Sequence, residues 1–367
     1  MMVNRLLEEI EKITRSFDFN RISRRQVEAA LSREHRGLDD LAALLSPAAA
    51  DYLEPMAQTA RALTRRFFGR NIALFAPLYI ANHCVNECSY CGYNRRNDIV
   101  RAKLSLEEIE REARAIAAGG IGDLLVLTGE SRRHSGVDYI AEALRLLGRY
   151  FPSLGLEVYP LETAEYQRVQ AAGADFLSLY QETYDPELYA RVHLSGPKRD
   201  YAYRLGAQER ALAAGFRGVS FGALLGLGDF RRDVLACGLH ARMIQEKFPE
   251  AEIGFSVPRI RPFPNQEKRA ADVGEAELLQ IILALRLFRP WAAISLSTRE
   301  SARFRDHCLG LGVTRLSAGV STAVGGYGGA EKGDAQFHKS DGRGVAEVCR
   351  AITARGAQPV FNDHVRL

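Results

Sequence analysis

The chain has 367 residues, with 49 basic and 45 acidic side chains and a formal net charge of +4. Hydrophobic residues make up 47% and charged residues 26%, which excludes an intrinsically disordered chain and predicts about two globular domains or one large barrel. No apolar stretch approaches the ~18 residues that cross a bilayer, and the charged N-terminus lacks a signal-peptide pattern. The small, dispersed charge argues against nucleic acid or membrane as partners, so we expect a cytoplasmic protein.

Residues 1–72 are predicted to form a helical extension, because Leu6, Leu7, Ile10, Ile13 and Phe17 recur at helical spacing. From residue 73 onwards, short apolar runs alternate with longer amphipathic runs. The predicted strands are 74–81, 123–128, 155–161, 175–180, 217–225, 252–257, 292–297 and 314–318. The predicted helices are 105–118, 137–150, 163–172, 185–192, 201–214, 230–247, 275–288, 301–310 and 344–355.

Eight strands, each followed by a helix, favour a TIM-type (β/α)8 barrel over residues 73–367, with a doubly wound open sheet as the alternative. In either fold the reactive groups lie at the carboxyl ends of the strands. A glycine-rich segment, 319–333, follows the eighth strand, and its sequence does not decide whether it acts as a lid.

Three of the six cysteines, Cys84, Cys88 and Cys91, lie within eight residues directly after the first predicted strand. On a loop, this C-x3-C-x2-C spacing lets three thiolates converge, and three ligands suit a 4Fe–4S cluster with one iron left without a protein ligand. A structural zinc ion usually takes four ligands, and a ferredoxin-like carrier normally supplies a fourth cysteine. We therefore predict a cluster that binds a further molecule, with chance spacing or a weak zinc site as the alternative.

The cysteine motif resembles that of the radical S-adenosylmethionine (SAM) enzymes, and nearly the whole chain is similar to their 2-iminoacetate synthase (ThiH) family, the tyrosine lyases of anaerobic thiamine biosynthesis. The segments that carry the resemblance are LLSPAAADYLE, PLYIANHCVNECSYCGY, LLVLTGE, YQETY, SLSTRE, RLSAG and Gly325-Gly326-Tyr327. The resemblance implies a radical SAM barrel and two cofactors, a 4Fe–4S cluster and SAM.

The resemblance also implies the reaction. SAM chelates the open iron through its amino and carboxylate groups, and reduction of the cluster yields methionine and a 5′-deoxyadenosyl radical. That radical takes a hydrogen atom from the amino group of L-tyrosine. The Cα–Cβ bond of tyrosine then breaks, which gives p-cresol and 2-iminoacetate (dehydroglycine).

The resemblance assigns the cofactor-binding residues. Cys84, Cys88 and Cys91 would hold the cluster, and Tyr90 would pack against adenine. Thr128, Gly129 and Glu130 end the second strand and resemble the motif that meets the methionine ammonium, for which a carboxylate is suited. The remaining positions are Glu182 and Arg204, for the ribose or the methionine moiety, and Gly222 to Gly226, a G-x-x-x-G segment beside adenine.

Arg299, at the end of the seventh strand, is the predicted anchor of the tyrosine carboxylate, because a planar guanidinium holds a carboxylate through two hydrogen bonds. Ser317, on the eighth strand, is predicted to bond the same group. Arg259 and Arg261 follow the sixth strand and are predicted to line the pocket, and Glu300 is a candidate ion-pair partner for one of them.

Gln181 and Tyr184 are the candidates for the phenol end of the substrate. His134 and His193 are predicted to be surface residues, and the cysteines outside the trio to be small buried hydrophobic residues.

A hydrogenase-maturation tyrosine lyase is disfavoured, because no second cysteine cluster follows the barrel sequence. A tryptophan lyase and a non-catalytic iron–sulfur or zinc protein are the alternatives that stay open. The resemblance also implies two protein partners. These are a thiazole synthase (ThiG), which consumes dehydroglycine, and an electron donor such as flavodoxin or ferredoxin.

Overall fold

The computed structural model describes residues 2–263 and 273–362. Nine strands are present in these residues, and all of them run parallel in one sheet. They are β1 (Asn71–Ala81), β2 (Asp123–Thr128), β3 (Ser153–Glu157), β4 (Phe176–Ser178), β5 (Gly218–Gly222), β6 (Glu252–Ser256), β7 (Ala293–Leu296), β8 (Arg315–Ser317) and β9 (Gln358–Val360).

Helices cover the outside of the sheet and precede it in the chain. The α-helices are α1 (Met2–Ser16), α2 (Arg24–Ser32), α3 (Leu38–Leu45), α4 (Leu53–Phe68), α5 (Leu106–Ala118), α6 (Val137–Leu147), α7 (Thr163–Ala171), α8 (Pro186–Val192), α9 (Tyr201–Leu205), α10 (Ala207–Ala213), α11 (Phe230–Lys247), α12 (Glu275–Phe288), α13 (Ala302–Cys308) and α14 (Val345–Ala354). Among residues 2–263 and 273–362, none of these helices combines the length and the apolar composition that a membrane span requires.

The first strand closes the sheet into a barrel. β2 to β8 pair in sequence order, and β1 pairs with both β8 and β2. Phe75 shows the closure directly, because it lies opposite Ser317 on one side and Asp123 on the other. The predicted (β/α)8 barrel is therefore confirmed, and the open-sheet alternative is wrong.

The ninth strand was not predicted. β9 pairs with the first residues of β1, on the same edge of β1 that pairs with β2 from Phe75 onwards. Ala73 therefore lies between Arg315 of β8 and Val360 of β9. The chain then passes below the start of β2, where the Gly122 N–H donates to the Phe361 carbonyl at 3.0 Å. Three residues that include a proline give too short an apolar run to be recognised as a strand in the sequence.

Several strands end earlier than their apolar runs. β3 ends at Glu157 and β4 at Ser178, although Val158, Tyr159 and Leu179 are also buried. Residues beyond the carboxyl ends of the strands fill the top of the barrel, so burial continues where strand pairing stops. Apolar patterning alone therefore places these strand ends two to four residues too late.

The helices before the barrel share its hydrophobic core. α1 packs on α11, and α3 and α4 pack on α12. Leu6, Ile10 and Leu41 are fully buried in the same core as the barrel residues. Gln280 of α12 fixes this contact, since its Nε2 donates to the carbonyls of Leu44 and Ser46 at 2.9 Å each. The division of the chain at residue 72 therefore separates elements that are packed together.

Candidate active site

Asparagine side chains hold the cysteine-bearing loop, residues 82–104, in shape. The fully buried Asn82 accepts and donates hydrogen bonds, at 2.7 and 2.9 Å, to the backbone where the loop returns to the barrel. Asn94 donates to the Cys88 carbonyl at 3.0 Å, and Asn97 to the Cys91 carbonyl at 3.2 Å. Because these carbonyls have side-chain partners, the loop needs no regular secondary structure to stay ordered.

Cys84, Cys88 and Cys91 line one cavity of about 600 Å³ at the carboxyl end of the barrel, here called the cluster cavity. Asn86 Nδ2 lies 3.7 Å from the Cys84 sulfur, and Gln336 Nε2 lies 3.7 Å from the Cys91 sulfur. Burial raises the pKa of Cys88 to about 12 and also raises the pKa of Cys91. The thiolate forms therefore need a nearby cation, which an iron–sulfur cluster supplies.

The cysteines fit a cluster of several irons. Within the described residues, no three His, Cys, Asp or Glu side chains are grouped so that they could hold a single metal ion. In a 4Fe–4S cluster each thiolate binds a different iron, so the three sulfurs need to face one cavity rather than meet at one point. Of the other cysteines, Cys237 and Cys308 are buried, as predicted, whereas Cys349 is half-buried.

The end of β2 supplies two polar side chains to the same cavity, one of which has no hydrogen-bond partner. Thr128 Oγ1 is buried and has no hydrogen-bond partner, and Thr128, Gly129 and Glu130 all line the cluster cavity. A Cβ atom at Gly129 would lie 2.4 Å from the His83 carbonyl oxygen, so only glycine fits there. Glu130 accepts a hydrogen bond of 2.6 Å from Asn86. An unpaired hydroxyl beside a carboxylate is suited to a polar ligand such as the methionine part of SAM.

Glu182 is the central charge on the opposite wall of the cluster cavity. Its carboxylate lies 2.6 Å from Lys198 Nζ and 3.4 Å from Arg204 Nη2. Burial acts to raise the pKa of Glu182, but the two cations outweigh it and the pKa is lowered. Its φ of +73° is unique among the non-glycine residues that the structure describes, a strained conformation typical of functional sites. Lys198 was missed in the sequence, because it lies in a loop with no recognisable motif.

Tyr90 lies beside a second cavity of about 530 Å³, here called the mouth cavity, which Leu224 and Arg261 also line. Its hydroxyl is 2.7 Å from His193 Nε2. The prediction that His193 is a surface residue is wrong, since it is fully buried where α8 packs against the cysteine loop, and burial lowers its pKa to about 3. His134 is half-buried and stacks on His83, with ring centroids 4.0 Å apart.

The G-x-x-x-G segment shapes the backbone after β5. A Cβ atom at Gly222 would lie 2.8 Å from the Ser256 carbonyl oxygen, and Gly226 has a φ of +102°. Leu224, between the two glycines, lines the mouth cavity. The glycines therefore allow this loop to approach the neighbouring strand closely.

Arg299 and Ser317 face a third cavity of about 620 Å³ in the upper barrel, here called the barrel cavity. The Arg299 guanidinium stacks on Phe337, 3.5 Å from the ring centroid. In the described part of the chain no carboxylate forms an ion pair with Arg299. Apolar side chains make up much of the remaining wall. They are Phe75, Pro77, Leu125, Leu127, Val257 and Val320.

Arg259 and Arg261 are both bound to one carboxylate. Glu300, which is buried, lies 3.0 Å from Arg259 Nε and 3.0 Å from Arg261 Nη2. Arg261 lines the mouth cavity, whereas Arg259 lines none of the three cavities and donates to the Val273 carbonyl at 2.8 Å. Glu300 thus leaves Arg299 as the arginine of this group without an acidic partner among the described residues.

The two candidates for the phenol end lie outside the cavities. Gln181 Nε2 donates to the Tyr201 carbonyl at 3.3 Å. Tyr184 is fully buried, with its hydroxyl 3.1 Å from His240 Nδ1 on α11. Gln181 lies between Tyr180 and Glu182, which both line the cluster cavity, on a stretch that still pairs with the end of β5. Because successive side chains of an extended chain alternate in direction, the Gln181 side chain faces away from the cavity.

Glu157, the last residue of β3, was missed in the sequence although it lines all three cavities. Burial raises its pKa to about 7, since the cavities lie inside the barrel and away from bulk water. A charged residue within the apolar run 154–161 is a signal that the sequence did offer. Gln336 and Phe337 were missed because they follow the glycine-rich segment and belong to no periodic pattern.

Hydrogen bonds hold the glycine-rich segment against β1 and α5. Tyr327 donates from its hydroxyl to the Pro77 carbonyl at 2.7 Å. The backbone N–H groups of Tyr327 and Gly328 donate to the two carboxylate oxygens of Glu112, on α5, at 2.7 and 2.8 Å. Gln336, which follows the segment, is held beside the cavities by bonds of its own: the Tyr79 hydroxyl donates to its Oε1 at 3.0 Å, and its N–H donates to the Thr322 carbonyl at 3.2 Å.

Comparison with known proteins agrees with this arrangement. Residues 78–237 match the Radical SAM superfamily, and residues 256–358 match the Biotin and Thiamin Synthesis associated domain. The chain is 41% identical over 338 residues to the 2-iminoacetate synthase of Salmonella typhimurium, covering 92% of this chain and 90% of that protein. Its identity to the Escherichia coli 2-iminoacetate synthase is 40% over 338 residues, with the same coverage of both chains.

A solved structure shows the same architecture. The FeFe-hydrogenase maturase HydG from Carboxydothermus hydrogenoformans superimposes with a TM-score of 0.89 at 30% identity, covering 98% of this chain and 85% of that one. The two matched family ranges include the cysteine loop and the positions of Arg299 and Ser317.

Proposed function

The chain belongs to the 2-iminoacetate synthase family of radical SAM enzymes, and we propose that it divides the family's reaction between the cluster cavity and the barrel cavity. As a lyase of this family it cleaves the Cα–Cβ bond of L-tyrosine to 2-iminoacetate and p-cresol in thiamine biosynthesis. The single observation that supports the division is that the two cavities adjoin: Glu157 and Tyr180 line both of them.

In this proposal the cluster cavity takes the 4Fe–4S cluster and SAM, held by Cys84, Cys88 and Cys91. When bound, these cofactors supply the radical that abstracts hydrogen. Thr128 Oγ1 and the Glu130 carboxylate accept hydrogen bonds from the methionine ammonium. Gly129 allows the backbone to approach this group closely.

Glu182 and Arg204 contact the ribose or the methionine moiety, and Lys198 keeps Glu182 ionised. Tyr90 packs against the adenine at the mouth cavity. Gly222 and Gly226 position the loop that carries Leu224 beside it.

The barrel cavity takes tyrosine. Arg299 holds the carboxylate, because its guanidinium keeps donors available and is fixed in orientation by Phe337. Ser317 lines the same wall and adds a hydrogen bond. The aromatic ring lies against the apolar wall. Arg261, at the mouth cavity, adds positive charge near the entrance, and we assign no substrate contact to Arg259 or Gln181.

An anaerobic assay tests this function. The protein is reconstituted with iron and sulfide, and SAM, dithionite and tyrosine are added. We expect p-cresol and 5′-deoxyadenosine by mass spectrometry. Deoxyadenosine without p-cresol would overturn tyrosine as the substrate, and tryptophan is then the next amino acid to assay. Neither product from a brown, cluster-loaded protein would overturn the enzyme itself.

Two partners and a location complete the proposal. A thiazole synthase (ThiG) consumes the dehydroglycine, since this imine hydrolyses in water, and flavodoxin or ferredoxin supplies the electron. We place the protein and both partners in the cytoplasm. Glyoxylate, the hydrolysis product, should accumulate in the assay when thiazole synthase is absent and fall when it is added. Equal glyoxylate in both mixtures would contradict this partner.

A further inference from the structure

Glu157 occupies the junction between the two proposed binding sites. It ends β3, and with Tyr180 it lines both the cluster cavity and the barrel cavity. If tyrosine lies in the barrel cavity and SAM in the cluster cavity, a hydrogen atom that passes between them would cross this junction. The group that donates it, the α-amino nitrogen, therefore belongs beside Glu157.

The Glu157 carboxyl group makes no hydrogen bond and no ion pair in the described part of the chain, although the charge of Arg299 acts on it. Glu157 is half-buried and its side chain lines the cavities, and carboxylates inside a protein are normally hydrogen-bonded or paired. Glu130, Glu182 and Glu300, by contrast, each accept a bond from a nearby side chain. An unpaired carboxyl that faces a cavity points to a ligand with donors.

The charges around Glu157 match an amino acid. Arg299 acts on Glu157 more strongly than any other charge, and both line the barrel cavity and the mouth cavity. An amino acid carries its carboxylate and its ammonium on one carbon. A guanidinium and a carboxylate on the wall of one cavity are therefore complementary to both groups at once.

We propose that Glu157 binds the α-ammonium of tyrosine and accepts one proton from it, which leaves the neutral amine from which the hydrogen atom is taken. This inference rests on the proposed function. The proton balance is simple: the ammonium loses one proton, the carboxylate becomes a carboxylic acid, and no oxidant or reductant is consumed. The N–H bond that then breaks belongs to an uncharged nitrogen.

The ionisation of Glu157 supports this role. Burial raises its pKa to about 7, and the charges that act on it are Arg299, Lys198 and Arg204, which lower the pKa, and Glu182, which raises it. Tyr79 and Tyr180 face the same space. A carboxyl group with a pKa near the working pH is able both to bind an ammonium and to take up its proton.

The test measures binding without turnover. Anaerobically reconstituted protein with SAM and no reductant is titrated with tyrosine, and with 3-(4-hydroxyphenyl)propanoate, which lacks the amino group, at pH 6, 7 and 8. The variants are Glu157→Gln, Glu157→Asp and, as a matched control, Glu246→Gln, an exposed carboxylate on α11. Iron content and SAM affinity report on folding and on the cofactor site.

We expect wild-type protein to bind tyrosine about tenfold more weakly at pH 6 than at pH 8, because a carboxyl group with a pKa near 7 is ~9% ionised at pH 6 and ~91% ionised at pH 8. Glu157→Gln should weaken tyrosine binding at pH 8 at least tenfold and abolish the pH dependence, without weakening the propanoate. Glu157→Asp should be intermediate and keep the pH dependence. Glu246→Gln should match wild type.

The p-cresol rate at saturating tyrosine gives a second readout. In Glu157→Gln the rate should recover towards pH 9, where the ammonium loses its proton to solvent, whereas the wild-type rate should already be high at pH 8. Equal weakening of both ligands, or a change in SAM affinity alone, would overturn the role of Glu157. A wild-type protein that makes no p-cresol would overturn the proposed function as well.

Discussion

Lys198 and Glu182 form an ion pair inside the active site, with 2.6 Å between Nζ and Oε1 and less than a fifth of either side chain exposed. The pair lies between the cluster cavity and the mouth cavity, and both residues line both cavities. It keeps a carboxylate ionised on a wall that is otherwise partly apolar, at a residue whose backbone is strained.

Replacing Lys198 by methionine should therefore weaken SAM binding at least tenfold and lower the thermal stability, because a carboxylate would lose its main cation. Lys247→Met breaks an exposed pair with Glu209 and serves as the control, with little change expected. The pKa of Glu182 is lowered, so its contribution to folding is present above the unfolded value of about 4.3 and is lost as the pH falls through the folded value. Unchanged SAM affinity would remove the pair from the cofactor site.

Arg299→Ala should raise the Kd for tyrosine roughly 10–100-fold and leave the cluster intact, since hydrogen bonds to a charged group contribute about 1.5–3 kcal/mol. Arg299→Lys keeps the charge but not the two-pronged geometry, and an intermediate value is expected. Calorimetric titration with tyrosine, together with iron analysis, measures both effects. If the alanine variant binds tyrosine as the wild type does, Arg299 does not contact the substrate.

Cys88→Ala should lose the brown colour and the cleavage of SAM together, because one of the three predicted cluster ligands is removed. Cys237→Ala, a buried cysteine of α11 away from the cavities, is the matched control and should keep both. The measurements are the visible absorbance of the iron–sulfur cluster and the amount of 5′-deoxyadenosine formed. A variant that keeps either property would mean that the cluster ligands are assigned wrongly.

Gly129→Ala should reduce stability and SAM affinity, since the new Cβ atom would lie 2.4 Å from a carbonyl oxygen that has to move. Overpacking of this kind costs about 1–3 kcal/mol. Gly342→Ala has open space around the new atom and is expected to behave as wild type. The measurement is the midpoint of thermal unfolding of both variants. Equal midpoints would contradict the close approach of Gly129 to the His83 carbonyl oxygen.

Glu112→Ala should loosen the glycine-rich segment, because two backbone N–H groups lose their acceptors. Faster proteolysis within 319–333 is expected, while Glu107→Ala, an exposed residue of the same helix, should leave the rate unchanged. Proteolysis at the wild-type rate would show that the Tyr327 hydroxyl and the backbone bridges of Val324 to Tyr79 and Gly333 hold the segment without Glu112.

Much of the barrel and part of the site were predictable, and the particular residues show why. Cysteine spacing and the position of Arg299 are local features, so the sequence carries them. Lys198 and Gln336 reach the cavities through loops, and their partners are distant in the chain, so nothing local marks them. His193 was misjudged because a helix of seven residues gives too little periodicity to show which face is covered. β9 is formed by pairing across the whole chain.

β1 is synthesised long before two of the strands that pair with it. One of its edges pairs with β8, and the base of the other pairs with β9. Both partners are made more than 230 residues after β1 ends. At ~5–20 residues per second the ribosome needs on the order of tens of seconds for that stretch. Until then β1, the longest strand of the barrel and an apolar one, has an edge of unpaired backbone N–H and C=O groups. Such an edge is a binding site for chaperones and for other chains that would aggregate with it.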